Sequence, residues 1–258
     1  MSTTLSFLII THEVIIPWHA QHLTYTNPYL NRKKTRAHTS THAKVNYEIG
    51  VKRIDESLGG IPGGTSLLVK DGSFSGKDKL LNEAILEGFE NGEGTVYVTT
   101  DDPSEDVLEE FPEDESFGVV DCVTEVQSAE EPEETDTVRY ASSPSDMTGI
   151  GVKVTDLLGG FRDERGIEHN RVLLDSVSTL LMYSNLETVF RFLHVFTGRV
   201  RSIDGLGVFV VDAGAHDDEE YTTLRQLFDG VVEVEDDEGL RARVVGLTDE
   251  PTEWVRLD

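Results

Sequence analysis

Apolar positions along residues 45–258 fall into two alternating periods, compact runs and helical stripes. Thr65–Val69 is a short apolar run preceded by Gly59-Gly60-Ile61-Pro62-Gly63-Gly64, a glycine-rich turn that delivers the chain into a buried strand. Beyond a glycine- and serine-rich loop, Leu80, Leu81, Ala84, Ile85 and Phe89 recur at helical spacing, and Gly92 or Gly94 ends that helix. Thr95–Thr100, bounded by Gly94 and Asp101, reads as a second buried strand. Strand, loop, helix, strand is the parallel βαβ unit with a right-handed crossover.

The pattern continues with a strand at Phe117–Val123, a solvated acidic loop at Glu125–Thr137 and a strand-like Val138-Arg139-Tyr140. A helix follows whose apolar side carries Val152, Leu157, Leu158 and Phe161. Arg171–Leu174 has strand character, and Leu186–Arg199 reads as a helix burying Val189, Phe190, Leu193 and Phe196. Gly207–Asp212 is a further core strand, Asp236–Gly239 is a hairpin turn into Leu240–Leu247, and Trp254–Leu257 is an edge strand. The predicted class is α/β, a mainly parallel sheet flanked by helices with a C-terminal antiparallel hairpin.

Composition changes the picture in three ways. The net charge of −27 comes from dispersed Asp and Glu, with 14 Arg against 8 Lys, a surface suited to a salt-accumulating, extremely halophilic cytoplasm. Residues 1–44 differ from the rest, with one acid (Glu13) against five basic residues and five of the eight histidines. They are expected to be a disordered arm, or a segment upstream of the true start, ahead of one domain at 45–258. Leu5–Ile16 is interrupted by Thr11-His12-Glu13 and fails as a signal peptide or membrane span. His19-x-x-His22 and His38-x-x-x-His42 lack the extra ligands of a metal site. Cys122 excludes an intramolecular disulfide and reads as a buried, inert thiol.

The candidate chemistry starts at Asp71-Gly72-Ser73-Phe74-Ser75-Gly76-Lys77-Asp78. This is G-x-x-x-x-G-K-[ST] with Gly76 and Lys77 in register, Asp71 at the first glycine and Asp78 at the hydroxyl that would hold magnesium. The loop residues Gly72, Ser73, Ser75, Gly76, Lys77 and Asp78 are the candidate nucleotide contacts. Asp71 puts a carboxylate where the loop should attract an anion, and Asp78 in the first turn of a helix could replace a bound phosphate. Asp101 and Asp102 stand at the carboxyl end of a strand, where an acid can orient an attacking water; position alone favours a turn acid before Pro103 and a short acidic helix through Val107 to Phe111. Asp175 ends a hydrophobic strand and could hold magnesium.

Residues 47 to 258 resemble the RecA/KaiC superfamily, in the branch of archaeal KaiC-like and RadA-like ATPases with a single RecA core. Ile54–Gly64, the altered loop at Asp71–Asp78, Val96–Asp102 and Leu173-Leu174-Asp175-Ser176-Val177-Ser178 carry the resemblance. It implies a RecA-like P-loop core, ATP and magnesium as cofactors, Asp101 and Asp102 in place of a catalytic glutamate pair, and Asp175 as the Walker B acid. The family's trans-acting basic pair would fall on Arg243-Val244-Val245-Gly246, with one of its two basic residues kept and Arg241 as a substitute.

Three functions follow. The preferred one is a regulatory nucleotide-binding protein with weak or no ATP hydrolysis, working with a protein partner. The second is a pseudo-ATPase that binds no nucleotide and serves as an interaction domain. The third, a DNA-directed ATPase, lacks a basic patch in residues 45–258.

Overall fold

In the computed structural model, residues 45–72, 76–112, 114–127, 132–236 and 239–257 are described, all within one compact unit, Thr41–Asp258. The arm at 1–44, with its histidine pairs, lies outside the described residues, as do Ser73 and Ser75. In chain order the elements begin with β1 (Asn46–Tyr47), α1 (Lys52–Leu58), β2 (Ile61–Pro62), β3 (Ser66–Asp71), α2 (Gly76–Asn91) and β4 (Gly94–Thr99). They continue with α3 (Ser104–Glu110), β5 (Phe117–Asp121), α4 (Thr124–Gln127), β6 (Val138–Tyr140), α5 (Met147–Arg165), β7 (Asn170–Leu174) and α6 (Val177–Tyr183). The last are α7 (Leu186–Ser202), β8 (Leu206–Asp212), α8 (Asp218–Arg225), β9 (Gly230–Asp236), β10 (Leu240–Val245) and β11 (Val255–Arg256).

Nine strands form one sheet in the order β11-β10-β9-β3-β8-β7-β4-β5-β6. From β9 to β6 every pairing is parallel, and β10 and β11 join antiparallel, as the C-terminal hairpin predicts. Strand alternation sends neighbouring side chains to opposite cores. Leu68, Val120, Val172 and Leu174 pack with α5, α6 and α7 on one face, while Leu67, Val69, Val119 and Leu173 pack with α1 and α2 on the other. The sheet is thus a buried middle layer, which is why its strands read as continuous apolar runs.

Two helix readings change in detail. Val152, assigned by spacing to the apolar side of α5, is 60% exposed, because the buried stripe runs through Ile150, Val154, Leu157, Leu158 and Phe161. Phe190 is only half-buried, whereas Val189, Leu193 and Phe196 are buried.

The layer carrying α2 is pinned by a buried ion pair that bridges distant segments. Arg171, at the start of β7, is fully buried; its Nε donates to Glu93 Oε2 at 2.8 Å, and its other nitrogens reach Glu93 and the carbonyls of Ala84 and Glu48. Gly88 is needed beside it, since a Cβ there would lie 2.6 Å from Thr95 Oγ1 and 3.1 Å from Arg171 Nε. Tyr47 lies against the guanidinium and donates its hydroxyl hydrogen to the Asp204 carbonyl at 3.0 Å.

Asp55 of α1 accepts the Ile49 amide at 2.9 Å, tying the entry segment to the helix. Burial, reinforced by the charge of Glu48 against the hydrogen bond from Ile49, raises its pKa to about 6. A carboxyl whose folded pKa is raised stabilises the fold fully below its unfolded pKa and loses that contribution as pH rises through the folded value. Asp55→Asn keeps an acceptor for Ile49 and removes the titration. It is expected to flatten the fall in stability between about pH 4 and 6, read by denaturant midpoints at fixed salt. An unchanged slope would show that Asp55 does not titrate in that window.

Candidate functional site

The C-terminal edge of the parallel strands gathers the residues that the motif named. Asp71 ends β3, Asp101 follows β4, and Asp175 follows β7. Lys77 enters from the first turn of α2. Brought together, they form a closed set of contacts among the protein's own groups.

At the loop, Asp71 is buried and its Oδ2 accepts the backbone N–H of Lys77 at 3.1 Å. That amide belongs to the helix N-terminus a phosphate loop uses to hold an anion. The carboxylate that meets it is therefore Asp71, one strand-end away, while the sequence also offered Asp78 for this role. The Gly72 amide donates to the Val234 carbonyl of β9 at 3.0 Å, so it too is spent within the sheet.

The lysine is held from the other side. Lys77 Nζ donates to Asp101 Oδ2 at 2.7 Å, and Asp101 Oδ1 accepts the Thr179 hydroxyl of α6 at 2.6 Å. Burial would raise the Asp101 pKa, but the hydrogen bonds from Lys77 and Thr179 outweigh it and hold the carboxyl below its usual range. Burial would likewise lower the Lys77 pKa, and the hydrogen bond to Asp101 with the charges of Asp101, Asp175 and Asp78 raises it instead.

Asp175 is buried and hydrogen-bonded on both oxygens. It accepts the Thr100 amide at 2.9 Å, the Thr100 hydroxyl at 2.6 Å and, more weakly, the Asp101 amide at 3.4 Å. Burial first, and then the charge of Asp101, raise its pKa to about 6. Its carboxylate thus braces the turn after β4. As a hard oxygen donor it suits magnesium by chemistry, but those three donors already occupy much of its acceptor capacity. Asp78, which stands where a metal-binding hydroxyl would be, has its pKa raised by burial and by Asp102, Asp71 and Asp101, against the pull of Lys77. Asp78 and Asp102 line a cavity of about 250 Å³ with Asp106 and Glu110. Asp102 itself gives its amide to Thr99 Oγ1 at 3.1 Å, a turn contact, and no ion pair of its side chain is found among the described residues. No cluster of three or more metal-ligating side chains occurs among the described residues.

Other contacts here were not legible in the motif. Thr100 and Thr179 complete the Asp175 and Asp101 networks. Ser178 Oγ accepts the Asp212 amide at 3.0 Å and lies 2.8 Å from His216 Nε2, whose Nδ1 is 3.3 Å from Glu220. Ser178 stands 34 positions from Asp212 and 38 from His216, and only the apposition of α6 with the end of β8 and the loop after it joins them. Arg243 pairs with Glu233 and Arg241 with Glu235, and both guanidiniums lie over the Trp254 ring at 4.5 and 5.0 Å. The late-strand arginines are therefore engaged within their own chain. Cys122 is buried, and burial raises its pKa well above the ordinary value.

Among solved structures, the chain is similar to the KaiC-like protein PH0186 from the hyperthermophilic archaeon Pyrococcus horikoshii OT3. Identity is 15%, coverage is 79% of this chain and 88% of that one, and the TM-score is 0.53. That likeness establishes a RecA/KaiC-like fold. No curated protein matches the sequence. A family described only as a family of unknown function, DUF7504, matches residues 64–234, from the turn before β3 into β9. That span is more than half of the chain and contains the strand ends that build this site, and the chain belongs to the family of unknown function DUF7504.

Proposed function

We propose that this protein is a RecA/KaiC-like pseudo-ATPase, a domain that keeps the fold as an interaction scaffold and does not hydrolyse ATP. One observation carries the reading: the buried carboxylate of Asp71 accepts the Lys77 amide at the mouth of the phosphate loop. A nucleotide phosphate would have to displace that carboxylate or stand beside it, and two like charges within a few ångströms repel strongly in a partly buried site. The acids around Asp78 add to the repulsion, and Lys77 would have to leave Asp101 to meet a phosphate.

A second reading, nucleotide binding with weak or no hydrolysis in a regulatory role, draws support from Gly76-Lys77 in register at the start of α2 and from Asp175 at the end of β7. In that reading Lys77 would meet the phosphates and Asp175 would face magnesium, whose chemistry is to neutralise phosphate charge. DNA-directed activity is disfavoured by the net charge of −27. The acid-rich, lysine-poor composition supports a salt-rich archaeal cytoplasm as the place of action, and no helix among the described residues is long and apolar enough to cross a membrane.

Calorimetric titration of the full chain with ATP and with ADP, in magnesium and molar potassium chloride, separates the two readings. No saturable heat from folded protein is expected. Saturable binding that Lys77→Ala abolishes would overturn the pseudo-ATPase reading and favour the second.

A further inference from the structure

On the face of the sheet opposite α2, α5 and α7 leave an open groove of about 720 Å³ between them. Val152 is 60% exposed and Val195 is 71% exposed, and both line it beside Phe192. Its floor repeats at helical spacing, with Thr148, Val152 and Thr155 on α5 and Thr188, Phe192 and Val195 on α7. Such a stripe follows successive turns of both helices, and the α7 wall of the groove, from Thr188 to Arg199, is about 16 Å long at 1.5 Å per residue. The groove's charge runs against that of the chain. Where the whole chain carries −27, the eleven lining residues include Arg199 and Arg191, the latter in an exposed pair with Glu187 at 3.9 Å, and no carboxylate lines the groove.

We infer that this groove docks an amphipathic helix of a partner protein, about three to four turns long, whose apolar stripe is flanked by Asp or Glu. The apolar floor takes the stripe by the helix-in-groove mode, and the two arginines, one turn before and one turn after Val195, select acidic flanks. A second copy of this chain fits poorly. Antiparallel pairing of α7 with itself about Val195 would set Arg191 of one copy opposite Arg199 of the other, and like charges in register are unfavourable. The groove gives the interaction role above a surface. Its test reads peptide binding and not nucleotide, so either proposal can fail alone.

The probe is a fluorescein-labelled helical peptide of about 14 residues with Leu along one face and Glu on both flanks, titrated into the full chain by anisotropy. Controls are the same peptide with Lys flanks and a scrambled sequence, at the lowest potassium chloride concentration at which circular dichroism shows the fold intact. Saturable binding of the Glu peptide is expected, at least tenfold tighter than the Lys peptide, and at least tenfold weaker to Val195→Asp. The double variant Arg191→Glu/Arg199→Glu should invert the preference between peptides. All three positions are exposed, so these variants leave the core untouched. Absence of saturable binding, equal affinity for both flanks, or indifference to Val195→Asp would overturn the inference. So would a concentration-dependent dimer that Val195→Asp abolishes, which would make a second copy the occupant.

Discussion

Asp71→Gly combined with Asp78→Thr is expected to give the chain a magnesium-dependent affinity for ATP that it otherwise lacks, a gain of at least a hundredfold, or about 3 kcal/mol. Three features of the loop motivate it. Asp71 occupies the Lys77 amide, Asp78 stands where a metal-binding hydroxyl belongs, and both contribute negative charge beside Lys77. Removing one carboxylate leaves the other, so each single substitution should recover little. Asp78→Thr alone keeps the loop amide filled, and Asp71→Gly alone supplies no hydroxyl for magnesium. Glycine at the end of β3 also costs about 0.5–1 kcal/mol in chain entropy, so the double variant should be somewhat less stable without nucleotide and regain stability with it. Calorimetry with and without magnesium, and thermal melts with ATP, check both arms. A folded double variant that binds nothing would mean that the obstacle is the sheet itself. The Gly72 amide fixed to Val234 would then be the first suspect.

Arg171→Ala is expected to be the most damaging single substitution for stability, by about 3–5 kcal/mol, because it leaves Glu93 buried without its partner. Burial already raises the Glu93 pKa against the pull of Arg171, so the stranded carboxyl should take up a proton on folding. The loss should therefore be smaller at pH 5 than at pH 8. The sign follows from linkage: a carboxyl with a raised folded pKa supports the fold when protonated and opposes it when ionised. Arg171→Met with Glu93→Gln removes both charges and should recover most of the loss. Urea midpoints at fixed salt measure all three variants. A loss below about 1 kcal/mol for Arg171→Ala would show that the pair contributes little to the fold.

The groove between α5 and α7 shows how a spacing argument can be nearly right and still miss function. Val152 is apolar at helical spacing, so a one-dimensional reading places it in the core. In three dimensions the core stripe of α5 passes one turn-face away, and Val152 is left facing outward beside Val195. Periodicity assigns apolar positions to a face of a helix; which face is covered depends on where the neighbouring helix crosses. The short helix α8 was not read from the sequence, although Tyr221, Leu224 and Phe228 recur at helical spacing and pack on the core; its run of acids, Asp217–Glu220, hides so short a stripe.

The sequence alone determined the layers and where the motif's residues would gather. Continuous apolar runs ending in Asp71, Asp101 and Asp175 are strands buried on both faces, and parallel strands place their carboxyl ends on one edge, so those acids had to meet near Lys77. Local signals are enough for this because strand period, turn glycines and the Gly76-Lys77 spacing act over a few residues. Tertiary structure alone decided which group partners which. Lys77 faces Asp101 from 24 positions away, Thr100 reaches Asp175 across 75, and Arg171 reaches Glu93 across 78. Whether a carboxylate sits in water, on an ammonium or against a backbone amide depends on distances of a few ångströms between segments that the sheet order brings side by side, and one-dimensional spacing does not encode those distances.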